Sequence, residues 1–97
     1  VDPPGVLTQV TETLRVELNE CLYRHDYATA AQFQNCIMAI LDATQGGVPI
    51  AVEVRSSLFN GLGSSLESMA NRVRRNLPAV AARYDDLSGQ MRNMAQG

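Results

Sequence analysis

Apolar residues recur along this chain at intervals of three and four, and polar residues fill the arc between them. From Val6 to Arg24 the apolar positions are Leu7, Val10, Leu14, Leu18, Cys21 and Leu22, with Thr11, Glu12, Arg15 and Glu20 left for solvent. That is the spacing of one helical face. Asp26 then stands where a carboxylate can accept from the free N–H groups of a new first turn, and it predicts the cap of a second helix. The apolar positions of that helix run Tyr27, Ala30, Ala31, Phe33, Ile37, Ile40 and Leu41. It should end near Thr44, because the following Gln-Gly-Gly tolerates left-handed C-terminal geometry.

Pro49 suits the first turn of a third helix, whose stripe is Ile50, Val54, Leu58 and Leu62 and whose end is weakened by Gly61 and Gly63. "SSLE" reads as a capping box in which Ser64 and Glu67 satisfy each other's amides, opening a fourth helix with Leu66, Met69, Ala70, Val73 and Leu77 inward. Pro78 forces a break or a kink. Beyond it Val80, Tyr84, Leu87, Met91 and Met94 form another stripe, in which Gly89 costs about 1 kcal/mol relative to alanine. "VPIAVEV" is the one candidate strand, and its proline and helix-spaced successors argue against it. The expected fold is all-α, a single bundle of four to five short antiparallel helices over residues 6–97. The opening "VDPPG", residues 1–5, is expected to be extended, as the end of a proline-bearing linker.

Composition narrows the class. At 97 residues, 45% hydrophobic and 19% charged, the chain matches one folded domain rather than a disordered segment. No apolar run approaches the length of a membrane span and no secretory leader pattern is present, so no membrane insertion is expected. Two cysteines are far below the density of a disulfide scaffold, and buried, reduced thiols in a cytosolic or nuclear protein are expected. Residues 1–48 carry two Arg against six acids (−4) and residues 49–97 six Arg against four acids (+2). This is mild polarity, not a nucleic-acid footprint.

The candidate chemistry is sparse. Cys21 and His25 are four apart and Cys36 could approach from the next helix, which with Asp26 would make a zinc ligand set. There is no paired Cys-x-x-Cys or His-x-x-x-His unit, and both cysteines fall in or beside apolar stripes, so packed thiols are expected instead. A Cys–His nucleophile lacks an orienting partner and an oxyanion loop. Glu12, Glu17, Glu20, Asp85 and Asp86 read as solvated carboxylates, and "GLGSS" lacks the strand and lysine of a nucleotide loop. No catalytic, cofactor or metal residues are expected. The one basic cluster is Arg72, Arg74 and Arg75 with Arg83. Since the chain is net acidic and has no interleaved stacking aromatics, the cluster reads first as a solvated or acid-paired helical face, and an acidic peptide or partner helix suits it better than RNA.

Two resemblances follow from these segments. Leu14, Leu18, Asp26, Tyr27, Ala30, Ala31, Ile37 and Ile40 resemble a UvrB/UvrC-type helical hairpin over fewer than 30 residues. More broadly, "LNECL", "CIMAIL", "VPIAVEV", "LFNGL" and Met69-Ala70 to Leu77 resemble the C-terminal helical domain shared by the large outer subunit of the COPII coat and steroid receptor RNA activator protein. That likeness covers about 85 residues by core type, and "VDPPG" is similar to the proline-rich linker before the coat subunit's final domain. The family's last helix usually carries a tryptophan where this chain reads "YDDLSGQM". The resemblance implies a non-catalytic protein-protein interaction module. Its partners would be other coat subunits at endoplasmic reticulum membranes, or nuclear coregulators, and it assigns no site residues.

Overall fold

The computed structural model describes residues 4–44 and 50–96. They form four helices, α1 (Pro4–Tyr23), α2 (Tyr27–Ala43), α3 (Val52–Val73) and α4 (Pro78–Gln96), and no strand is found among the described residues. The fold is all-α, with α1 packed on α2 and α3 on α4. These pairs belong to two compact units, residues 1–50 and 51–97. Each pair is antiparallel by necessity: α1 is 20 residues, about 30 Å, long, and the short link after it reaches only about 10 Å.

The α1–α2 junction is built from backbone bonds at the positions read in the sequence. The amide of His25 donates to the Leu22 carbonyl (3.0 Å) and that of Asp26 to the Cys21 carbonyl (2.9 Å). These bonds satisfy the last carbonyls of α1 in a Schellman motif. His25 holds the left-handed position of that motif with φ 63°, a conformation in which histidine is among the better tolerated non-glycine residues. Asp26 then accepts from the Thr29 amide at 3.2 Å and caps α2.

The core of this hairpin is Val10, Leu14 and Cys21 on α1 with Ala30, Phe33, Cys36, Ile37 and Ile40 on α2, all buried. Several assignments shift. Pro4 and Gly5 are helical, against the extended "VDPPG" reading, because a proline at the first helical position lacks only an N–H that would be orphaned anyway. Residues 1–3 of that segment lie outside the described residues. Thr11 and Glu17, expected in solvent, are buried, whereas Tyr27, Ala31, Leu22 and Leu41 are exposed. Thr11 remains satisfied because its hydroxyl donates to the Leu7 carbonyl at 2.9 Å.

Four helices lie within the expected four to five, and the second hairpin corrects one boundary between them. Segments read as a third and a fourth helix are one, α3, which runs unbroken through Gly61, Gly63 and Ser64. The "SSLE" capping box therefore caps nothing: Ser64 lies in mid-helix and its local motif is overridden. The helix starts at Val52 with Ala51 as its cap residue, while the Pro49 start and the Gln45-Gly46-Gly47 stop fall outside the described residues. Pro78 is the first residue of α4, where its fixed φ favours the helix. All five expected α4 stripe residues, Val80, Tyr84, Leu87, Met91 and Met94, are buried. They pack with Phe59, Leu62, Leu66, Met69, Ala70 and Val73 as the core of this unit.

Gly61 and Gly89 sit in helices with nothing within 4 Å of an added Cβ. Gly61→Ala and Gly89→Ala should each therefore raise stability by about 0.5–1 kcal/mol through the lower backbone entropy of alanine. Urea unfolding of each variant measures this, and a loss of stability in both would contradict their helical, open setting.

Candidate functional site

The Cys21–His25–Cys36 constellation does not assemble. Cys21 and Cys36 are free and buried in the α1–α2 core. His25, turned out by its left-handed backbone, is exposed, and its Nδ1 lies 2.9 Å from the hydroxyl of Tyr27, with the two rings edge to face at 5.9 Å. Arg24 reaches back along α1 and donates to the Cys21 sulfur at 3.5 Å. Among the described residues no group of three His, Cys, Asp or Glu is placed to hold a metal ion.

Burial pushes the Cys36 thiol up to about 11. Because the folded state favours the neutral thiol, its contribution is intact below the ordinary thiol range. Stability should fall as pH rises from about 9 to 11, by roughly 2 kcal/mol at most. Denaturant midpoints taken from pH 7 to 11 for the chain and for Cys36→Ala test this, the decline above pH 9 being smaller in the variant.

The four arginines gather at one end of the α3–α4 hairpin, but they are not equivalent. Arg74 makes a two-pronged contact with Asp85, at 2.8 and 3.2 Å, and also donates to the Asn71 side chain at 3.0 Å. This hydrogen bonding holds the Asp85 carboxyl below, and the Arg74 guanidinium above, its ordinary range. Both groups are nearly half exposed, and the pair orders the hairpin end rather than anchoring it. Arg74 makes these contacts within its own unit, and Arg72, Arg75 and Arg83 also have exposed side chains. Farther along, Arg92 pairs with Glu67 at 2.9 Å.

A feature not foreseen from the sequence lies between α1 and α2. A groove of about 320 Å³ is lined by Arg15, Leu18 and Asn19 on α1 and by Gln34, Ile37, Met38 and Leu41 on α2. The α2 residues fall at steps of three, one and three, and the three α1 residues at steps of three and one, so each helix gives the groove neighbouring positions of one face. Leu22, Met38 and Leu41 are 44%, 45% and 42% exposed, which is large for side chains in apolar stripes. The signal was present in the sequence. The apolar arcs of both helices are wider than a single neighbour can cover, and the spacing puts Leu18, Leu22 and Leu41 on the same apolar faces as buried residues.

No family model, curated protein or solved structure matches this chain.

Proposed function

We propose that the chain is a non-catalytic protein-protein interaction module that presents a helical surface to a partner. The observation that supports this reading is the pair of exposed apolar side chains, Met38 and Leu41, along a groove on the α1–α2 hairpin that also has polar residues in its lining. Asp26 is spent on capping, Thr11 on the helix backbone, and Arg74, Asp85, Glu67 and Arg92 on pairing within a hairpin. No helix among the described residues is long and apolar enough to cross a membrane.

The sharpest form of the reading takes its partner from the resemblance to the C-terminal domain of the outer COPII coat subunit. On that form the module acts in coat assembly for endoplasmic reticulum to Golgi transport. Purified coat subunits passed over the immobilised chain should be retained, and retention should fall at least about tenfold for a Leu22→Gln, Met38→Gln, Leu41→Gln variant, as loss of a few apolar anchors predicts. Equal retention on both would sink the coat form.

The exposed set Arg72, Arg75 and Arg83 favours a second contact with acidic protein segments. It does not favour RNA, because the chain is net acidic and the cluster has no interleaved stacking aromatics. Affinity for a mixed-sequence RNA at physiological salt should be no tighter than about 0.1 mM, the weak end of non-specific binding. Tighter binding that falls with salt and with loss of these arginines would replace the protein reading.

A further inference from the structure

We propose that the α1–α2 groove takes a single amphipathic helix from a partner protein, one that carries a carboxylate beside its apolar stripe. This rests on the interaction reading above and names the occupant.

The groove's form selects a helix. Its two walls are helix faces, Arg15, Leu18 and Asn19 on one side and Gln34, Ile37, Met38 and Leu41 on the other, and a third helix laid between them would meet side chains on both with its own i, i+3, i+4 and i+7 positions. Its apolar lining is Ile37, which is buried, with Leu18, half-buried, and Met38 and Leu41, exposed. The volume lies at the bottom of the range for small-molecule pockets, roughly 300–1,000 Å³. The polar groups, Asn19 and Gln34 with Arg15, share the lining and do not converge on a point.

The groove's charge selects the flank. Arg15 is the only charged residue in the lining; Asn19 and Gln34 are neutral. Among the described residues the acid shown close to it is Glu12 on its own helix at 3.8 Å, beyond hydrogen-bonding distance, with both side chains more than half exposed. The guanidinium fork is therefore not held by that contact, and it suits a carboxylate that arrives with the partner. Met38 supplies an adaptable apolar surface that accommodates more than one aliphatic anchor.

The test is a selection from a displayed library of helical peptides with randomised apolar and flanking positions, run against the full 97-residue chain. Selected helices should share an Asp or Glu at one fixed position beside the stripe and should shift the amide resonances of Leu18, Met38 and Leu41. Against Arg15→Glu, acid-flanked peptides should lose about fivefold in affinity, as expected for a partly exposed ion pair turned repulsive. The same selection should then turn to Lys or Arg at that flank. Met38→Asp should abolish binding, and because Arg15 and Met38 are both exposed, each variant should keep the parent's circular dichroism melt. Flank preference unchanged by Arg15→Glu would overturn the proposal. So would groove resonances that shift with the chain's own concentration, which would assign the groove to a second copy. Peptides that bind elsewhere, or coat-subunit retention that survives Met38→Asp, would overturn the groove assignment and leave the interaction reading standing. No selected binder at all would remove both.

Discussion

Phe59→Ala is expected to destabilise the chain by about 3–5 kcal/mol, a large part of the 5–15 kcal/mol typical of a whole domain. The ring is fully buried on α3, in the first turns that enter the core of the second hairpin. Just upstream, Val52 and Val54 are 76% and 51% exposed, so Phe59 is where α3 first commits a large side chain. Its loss removes the transfer free energy of the ring and leaves a cavity that helical backbone cannot collapse to fill. Phe59→Leu, which keeps most of the volume, should cost under about 1.5 kcal/mol, and Val52→Ala should lie within about 0.5 kcal/mol of the parent. Urea or thermal unfolding of the three variants gives the ranking. A Phe59→Ala cost below that of Phe59→Leu would contradict the packing described.

The second large effect is expected at Gly63. A Cβ there would lie 3.0 Å from Cγ and 3.3 Å from Nε of Arg92, and 3.4 Å from the backbone oxygen of Ser88. α4 thus approaches α3 closely at this residue, and Ser88, itself buried, donates its hydroxyl to the Gly63 carbonyl at 2.8 Å. Gly63→Ala sets a contact that Arg92 can relieve by moving against a helix-propensity gain of about 1 kcal/mol, and should be near neutral. Gly63→Val adds branches that the Ser88 backbone cannot avoid. It should cost about 2 kcal/mol by parting the helices or bending the Ser88 hydrogen bond. The informative comparison is Gly61→Val, two residues earlier and in open space. If Gly63→Val were no worse than Gly61→Val, the close approach would be refuted.

These two glycines also explain what could and could not be read in advance. Locally, two glycines followed by Ser-Ser-Leu-Glu carry every sign of one helix ending and another starting, yet α3 runs through them. The reason is tertiary. The missing side chain at Gly63 is what lets α4 come close, and the burial gained along Phe59, Leu62, Leu66, Met69 and Val73 outweighs the local preference for a break. Where a signal was short-range and unopposed it was legible: Asp26 caps α2, Pro78 opens α4, and the α4 stripe is buried at every expected position.

The candidate site was less legible, for two physical reasons. Arg74 looked like one of four equal cations because its acid partner, Asp85, is eleven residues away and reaches it only after the hairpin folds. The groove was hidden because Leu18, Leu22 and Leu41 share their apolar faces with buried residues. Periodicity tells which arc of a helix is apolar, but not how much of that arc its neighbour covers. Val10, Leu14 and Cys21 occupy the covered part of α1, whereas Leu22 lies on the part left open.

The ion pairs across the second hairpin have a consequence for alternative alignments. Arg74 on α3 meets Asp85 on α4, and Glu67 on α3 meets Arg92 on α4. Both pairs keep the same antiparallel alignment, and the sign is reversed from one to the next. A slide of α4 by one heptad in one direction would set Glu67 against Asp85, and a slide in the other would set Arg74 against Arg92. Apolar stripes that repeat every three and four residues tolerate such a slide far better than charges do. Exposed pairs of this kind add little to the depth of the native minimum, but they raise the nearest wrong ones, and so help hold two interchangeable greasy surfaces to a single alignment.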